Sequence, residues 1–206
     1  GKSIPSVISA SCGHEKAIGP SQWLWQLPVL MNVKRDASVA TFLRSVPVFH
    51  DLKGASLDIL FDFLEEQTWA PGDHIFNEGE LGRTMYVIRD GEVEVARKST
   101  RGNQVPIVRL GPGETFGEMT LVELQPRSAT CVVKKKTTTY ALTNLDLWNL
   151  YKADNYAYII ILQNICRMLS RRLRKADSRI AEFLDPEIAE RAAAAAKAAK
   201  ASKARA

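Results

Sequence analysis

The chain has 206 residues, of which 46% are hydrophobic and 25% are charged, and its formal net charge is +5. These fractions are typical of a soluble globular protein with enough residues for one domain and appendages. No apolar run approaches the length of a transmembrane span, and the first thirty residues lack the pattern of a signal peptide. The three cysteines, Cys12, Cys131 and Cys166, are too far apart for a disulfide framework, so we expect a cytoplasmic protein.

The positive charge is concentrated at the C-terminus. Residues 191–206 contain five basic residues and no acidic one, while the chain before them has no net charge. Residues 185–206 are therefore predicted to form an Ala/Lys-rich tail, and the high isoelectric point describes this tail rather than the domain.

The N-terminal third is predicted to be helical after an extension over residues 1–37. Trp23 and Trp25 lie in that extension, and we expect them to fold back onto the domain rather than to bind a partner. Ser38 is the predicted N-cap of a first helix, which Pro47 ends. Apolar residues at helical spacing predict a second, amphipathic helix over residues 55–67.

From residue 68 onward, short runs of β-branched and aromatic residues alternate with glycine-containing turns. The predicted strands cover residues 74–77, 84–89, 92–97, 106–110, 129–134 and 137–142. In the segment that starts at Glu92, apolar and charged residues alternate, with Val93 and Val95 facing inward. Short strands at regular spacing predict a closed or double-sheet β fold.

Two helices are predicted after Thr143, over residues 144–152 and 155–184. The longer helix carries an apolar stripe formed by Ile165, Leu169, Leu173, Ala176, Ile180 and Phe183. Part of this stripe has the spacing of a coiled-coil seam, although it spans barely two heptads. We therefore predict at most a weak homodimer through the C-terminal half of this helix.

Residues 116–130, Phe-Gly-Glu-Met-Thr-Leu-Val-Glu-Leu-Gln-Pro-Arg-Ser-Ala-Thr, contain the main candidate site. Gly117 allows the backbone to approach a ligand, and the start of the predicted helical turn over residues 119–124 offers N–H groups to an anion. Arg127 can add a bidentate clamp, and Glu118 can accept a hydrogen bond from a sugar hydroxyl. A cation, oriented amides and a carboxylate together suggest a sugar phosphate.

This segment closely resembles the phosphate-binding cassette of cyclic nucleotide-binding domains, which occur in catabolite activator proteins and in the regulatory subunits of protein kinase A. It matches at Phe116, Gly117, Glu118, Leu121, Pro126, Arg127, Ala129 and Thr130, and it departs at Thr120, where Ala or Gly is usual. The resemblance covers about residues 40–184.

The resemblance implies a mainly β fold with flanking helices (α+β): a double-stranded β-helix (jelly-roll) β-roll with N-terminal helices and C-terminal hinge and lid helices. The domain would span residues 38–184. Arg127 would pair with a cyclic phosphate and Glu118 would hold the ribose 2′-hydroxyl. The implied ligand-binding residues, all in this numbering, are Phe116, Gly117, Glu118, Met119, Thr120, Arg127, Ser128, Ala129 and Asp177.

The base is less constrained by the resemblance. Ser128 follows the cassette arginine, as in bacterial cyclic AMP receptors, whereas cyclic GMP-selective members often have Thr there. Ala176, Asp177 and Ile180 of the lid would lie near the base, and Asp177 can accept a hydrogen bond from adenine or from guanine. One arginine of the basic face at residues 171–175 could also stack on the base. We predict cyclic AMP, with cyclic GMP as the alternative.

Other functions have weaker support. The histidines are isolated, which argues against a metal site, and no nucleophile has an adjacent base, so no enzymatic activity is predicted. The roughly twenty Ala-rich residues after Asp185 argue against a sequence-specific DNA-reading domain. The prediction is a cyclic nucleotide sensor that signals through its lid helix to an unidentified protein effector, with no membrane partner. The alternatives are a ligand-independent adapter of the same fold and a nucleic-acid-associated protein with a basic tail.

Overall fold

The structure, a computed structural model, describes residues 31–123 and 125–185. The predictions for Trp23, Trp25 and the Ala/Lys-rich tail therefore lie outside the described residues.

The described chain forms one antiparallel sheet. Two helices precede most of its strands in the sequence, one short helix lies between the last two strands, and two helices follow the sheet. The strands are β1 (Met31–Asn32), β2 (Glu65–Trp69), β3 (His74–Phe76), β4 (Thr84–Lys98), β5 (Gln104–Leu110), β6 (Thr115–Phe116) and β7 (Thr130–Thr143). The helices are α1 (Ala37–Ser45), α2 (Gly54–Leu60), α3 (Met119–Val122), α4 (Asn144–Ala153) and α5 (Asn155–Leu184), with 3₁₀ turns at Pro47–Phe49 and Phe61–Phe63. The main strand order is β1-β2-β7-β4-β5, with β3 paired to β7 and β6 to β4. This arrangement confirms the predicted fold class.

Two long strands replace four predicted short ones. β4 runs through the predicted break at Asp90-Gly91, and β7 runs through the break between residues 134 and 137. The pairing of β4 with β7 shifts register around Asp90 and Glu92. Gly91 has a φ of +99°, and a Cβ there would lie 2.4 Å from the Thr137 hydroxyl oxygen. Glycine therefore bends β4 at an irregularity without ending the strand.

The second predicted helix is too long. α2 ends at Leu60, and residues 65–69, which were assigned partly to that helix, form β2 instead. The apolar spacing is retained because Leu57, Leu60 and Leu64 are all buried, but only the first two are helical. The predicted N-cap is also displaced: Asp36, rather than Ser38, caps α1 by accepting from the backbone N–H groups of Ser38 and Val39.

Residues of the predicted N-terminal extension take part in the domain. β1 pairs with β2 through Met31 opposite Glu66 and Asn32 opposite Glu65. Val33 is buried against the helices. The described domain therefore includes residues before the predicted start at 38.

Strand alternation divides the interior into two clusters. On β4, Met85 and Val87 face the helices, whereas Tyr86 and Ile88 belong to the cluster inside the roll. Successive side chains of a strand lie on opposite faces, so one strand supplies both clusters. The helices thus pack on one side of the sheet, and the aromatic cluster of the roll forms the other side.

The C-terminal helices begin and end close to their predicted positions. Thr143 caps α4 in a reciprocal capping box with Asp146, and Asp154 caps α5. No helix in the described part of the chain combines the length and the hydrophobicity that a membrane span requires.

Candidate functional site

A cavity of about 610 Å³ lies between the β-roll, the segment around α3 and the second half of α5. The structure brings together nearly all the predicted site residues here. Its lining includes Phe116, Gly117, Glu118, Met119, Thr120, Arg127, Ser128 and Ala129. Val95, Ile107, Val108 and Leu110 add an apolar wall from β4 and β5. A volume of this size is typical of small-molecule sites.

Arg127 is the buried cation of the cavity, with only 5% of the residue exposed. Its Nη1 donates to the Gly117 carbonyl and to the Thr120 hydroxyl, both at 3.2 Å, and its Nη2 donates to the Thr84 carbonyl at 2.8 Å. Nε is buried and has no hydrogen-bond partner among the described residues. Arg127 therefore brings a desolvated positive charge to the cavity wall, and an anionic ligand would compensate that charge.

The surroundings of Arg127 orient its side chain. The guanidinium lies over the Phe76 ring at 4.0 Å from the centroid. The Arg127 backbone N–H donates to the Glu80 carbonyl, and its own carbonyl accepts from the Gly79 N–H. Burial lowers the pKa of the Arg127 guanidinium from its ordinary value, because desolvation disfavours the charged form. Contacts from segments distant in sequence thus hold this arginine in place.

Two glycines make room for the guanidinium. Gly117 has a φ of +74°, and a Cβ there would lie 2.7 Å from Nη1 of Arg127. A Cβ at Gly82 would lie 2.2 Å from Nε of the same side chain. Gly117 was predicted from the motif. Gly82 was not, because its contact with Arg127 spans 45 positions of the sequence and carries no local signal.

Glu118 is buried in the cavity wall and is paired with the long helix. Its side chain is 3% exposed, and its Oε1 accepts from Nη1 of Arg172 at 2.6 Å. Nη2 of Arg172 donates to the Thr115 carbonyl at 2.5 Å. One arginine of the basic face of α5 was predicted as a candidate to stack on the base, but Arg172 instead links α5 to the predicted ribose-binding carboxylate. Oε2 of Glu118 accepts no hydrogen bond from the described residues.

The remaining cassette residues also line the cavity. Thr120, where the sequence departs from the usual cassette, donates to the Gly117 carbonyl at 2.9 Å as well as accepting from Arg127. Its hydroxyl therefore adds to the network around the arginine. Ser128 donates to the Met119 sulfur at 3.7 Å. α3 is shorter than predicted, ending at Val122.

The second half of α5 forms one side of the cavity through Arg172, Lys175, Ala176, Arg179 and Ile180. Ala176 and Ile180 were expected near the base and do line the cavity. Asp177, the predicted base acceptor, is exposed and is not among the lining residues. At about 100° per residue, Asp177 falls outside the arc of the helix that carries the five lining residues of α5.

Cys131 also lines the cavity, and burial raises the pKa of its thiol to about 12. The thiolate is therefore scarce at neutral pH, and this cysteine is a poor nucleophile. Within residues 31–123 and 125–185, no group of three or more His, Cys, Asp or Glu side chains could hold a metal ion.

The geometry shows a cavity lined by a buried arginine, and comparisons with known proteins identify the class of domain to which it belongs. The family model "Cyclic nucleotide-binding domain" matches residues 66–154. The "Cyclic AMP receptor protein" of Thermus thermophilus is 32% identical over 139 residues, covering 66% of this chain and 61% of that protein. Human "cGMP-dependent protein kinase 2" is 34% identical over 121 residues, covering 55% of this chain and 16% of the kinase.

Solved structures show the same relationship. The N-terminal domain of a transcriptional regulator from Streptomyces coelicolor A3(2) superimposes with a TM-score of 0.57 at 30% identity, covering 67% of this chain and 93% of that one. This chain belongs to the cyclic nucleotide-binding domain family, as the cassette predicted. It spans less than two thirds of the length of the two curated relatives named above.

Proposed function

We propose that this chain is the sensing domain of a regulator and binds a 3′,5′-cyclic nucleotide in the cavity beside Arg127. The observation that carries the proposal is the Arg127 guanidinium, a buried cation that lines the cavity and for which Gly117 and Gly82 leave room. A cyclic phosphate carries one negative charge and several acceptor oxygens, which match this donor.

Glu118 supplies the second contact of the proposed mode. A ribose 2′-hydroxyl is a donor, and Oε2 of Glu118 is an acceptor that the described residues leave unused. The ion pair with Arg172 uses Oε1 and gives the buried carboxylate a cationic partner. Binding of the ribose would therefore take place beside the end of α5 that closes the cavity.

The sensor would transmit binding by a population shift. Arg172 joins α5 to Glu118, so a ligand that contacts Glu118 also acts on the orientation of the second half of α5. The effector that reads this change is proposed to be a protein. The relatives include a cyclic AMP receptor and a cyclic GMP-dependent kinase by name, and the predicted preference for cyclic AMP rests on Ser128.

Titration calorimetry of the full chain with cyclic AMP and with cyclic GMP tests the proposal. Arg127→Ala should weaken binding by ~2–5 kcal/mol, because the phosphate loses its charged partner in a buried site. That loss is at least about tenfold in affinity. Arg109→Ala is the matched control, since Arg109 is an exposed arginine of β5 outside the cavity lining. A folded Arg127→Ala protein that binds as wild type does would contradict the proposal.

The ribose contact has its own test. A 2′-deoxy cyclic nucleotide should bind wild type more weakly by ~1.5–3 kcal/mol, the usual value of a hydrogen bond to a charged group. Glu118→Ala should remove the difference between the two analogues. Equal binding of both analogues to wild type would remove Glu118 from the ribose site.

A second candidate is the ligand-independent adapter. It is favoured by the contacts that already satisfy both Nη atoms of Arg127 and Oε1 of Glu118 within the chain. No heat of binding with either nucleotide, in a chain that unfolds cooperatively, would support this candidate. Association with nucleic acid through the basic tail concerns residues outside the described ones. The prediction against sequence-specific DNA binding stays a prediction, and a mobility-shift assay across salt concentrations tests it.

A further inference from the structure

The cavity-facing side of α5 is basic. Arg172, Lys175, Ala176, Arg179 and Ile180 line the cavity at intervals of three and four residues, which places them on one helix face. The polar members of this face are all cations, so α5 presents only hydrogen-bond donors to the cavity.

Two of these cations have no hydrogen-bond or ion-pair partner among the described residues. Arg172 is engaged by Glu118 and the Thr115 carbonyl. Lys175 and Arg179, one helical turn apart, make no hydrogen bond or ion pair with any residue of the described ranges. Lys175 and Arg179 offer hydrogen-bond donors to the cavity from α5, whereas Arg127, the proposed partner of the phosphate, lies between α3 and β7. The two α5 donors therefore suit a part of the ligand other than its phosphate.

The base is the part of a cyclic nucleotide that remains. If Arg127 takes the phosphate and Glu118 the ribose, the base is left to lie between the apolar wall of Val95, Ile107 and Val108 and the donors of α5. An apolar wall suits the flat face of a purine. The donors suit acceptor atoms on its edge.

The two purines differ at that edge. Guanine presents two adjacent acceptors, N7 and O6, whereas adenine presents N7 beside an amino group that is itself a donor. Arginine and lysine pair well with the first pattern and poorly with the second. The acidic lining residue Glu123 can accept from an amino group of either base and does not discriminate between them. Glu114 already accepts from the Gly111 N–H.

We propose that Lys175 and Arg179 read the N7 and O6 acceptors of the base, so that this domain prefers cyclic GMP to cyclic AMP. The inference rests on the proposed function, because it assigns the base end of the same site. It runs against the preference expected from Ser128. The reason is that Lys175 and Arg179, two donors without a partner among the described residues, line the cavity.

The test compares three nucleotides on the full chain by titration calorimetry: cyclic GMP, cyclic AMP and cyclic IMP. Cyclic IMP keeps N7 and O6 but lacks the 2-amino group of guanine. Cyclic GMP and cyclic IMP should both bind about tenfold more tightly than cyclic AMP, the discrimination expected of a bidentate contact. If only cyclic GMP binds tightly, the 2-amino group is recognised instead and the assignment to Lys175 and Arg179 is wrong.

A pair of double variants locates the contact. Lys175→Met with Arg179→Met removes both donors but keeps long helix-forming side chains, and it should reduce the preference to near one. Arg171→Met with Arg174→Met removes the same charge from the same helix at positions outside the cavity lining. This control should keep the preference. Equal loss in both double variants would show a general charge effect and overturn the proposal.

The outcomes also separate this inference from the proposed function. Binding of cyclic AMP as tightly as cyclic GMP, with both abolished by Arg127→Ala, would overturn the base assignment and leave the proposed function intact. Failure of all three nucleotides to bind would overturn both.

Discussion

The two halves of α5 differ in what holds them to the domain. In the first half, Ala157, Ile161 and Ile165 are completely buried in the cluster between the helices and the sheet. In the second half, Leu173, Ile180 and Phe183 are 62%, 57% and 81% exposed. One helix with one continuous apolar stripe is thus a core element at its start and an exposed element at its end.

Polar contacts follow the same division. Asn164, in the first half, donates to the backbone carbonyls of Val48 and His50 and so ties α5 to the N-terminal helices. In the second half, Arg172 reaches the cavity wall at Glu118 and Thr115. The first half is therefore anchored by packing and buried hydrogen bonds, whereas the second is linked through a contact at the cavity wall. A segment with few buried apolar contacts is displaced at a lower free energy, as a ligand-responsive lid requires.

The largest expected loss of stability comes from a substitution in the buried first half of α5. Ile161→Ala removes a completely buried side chain and should lower the free energy of unfolding by ~2–5 kcal/mol. The matched change in the exposed half, Leu173→Ala, should stay within ~0.5 kcal/mol of wild type. Urea unfolding followed by circular dichroism measures both. Similar losses in the two variants would mean that both halves are packed alike, which contradicts the comparison.

A smaller effect is expected from the contact that holds the second half. Arg172→Gln leaves the buried Glu118 carboxylate without its charged partner and should lower the free energy of unfolding by ~1–3 kcal/mol. Arg171→Gln, on the neighbouring position outside the cavity lining, is the control and should change little. If the two variants are equally stable, the Arg172 contact does not hold the second half to the roll.

The smallest effect concerns self-association. The structure splits the predicted seam: Ala176 and Ile180 line the cavity, but Leu173 and Phe183 do not. The exposed side chains of Leu173 and Phe183 are available to a second copy of the chain. A seam this short predicts at most a weak homodimer. Light scattering over a concentration series, with and without nucleotide, should show a small rise in mass.

Two variants decide which residues form that interface. Phe183→Asp should abolish the rise in mass without changing nucleotide affinity, whereas Ile180→Asp should alter both. A wild-type chain that stays monomeric at every concentration would confine the stripe to the lid. If both variants still form the dimer, the interface lies elsewhere, for example at Trp23 and Trp25.

Local patterns predicted much of this molecule. The segment around Gly117 and Arg127 is contiguous, so its chemistry could be recognised from neighbouring residues. α5 was predicted within its limits because the apolar period continues over many turns and Asp154 caps its start. β2 was missed because Leu57, Leu60 and Leu64 keep a helical spacing across the point where the chain leaves α2. Spacing predicts burial of these leucines but does not reveal where hydrogen bonding changes from helix to strand.

By itself, the sequence determined the family, the fold class and the position of the arginine proposed to bind phosphate, because each depends on patterns within a short stretch of chain. Only the tertiary structure decided which distant residues surround that arginine. Gly82 and Thr84 contact Arg127 across more than forty positions, and Arg172 contacts Glu118 across 54. The stripe of α5 likewise could not show which half is buried, since burial depends on where the sheet and the N-terminal helices end. Such contacts are set by how β4, β7 and α5 pack together, and no local period encodes that packing.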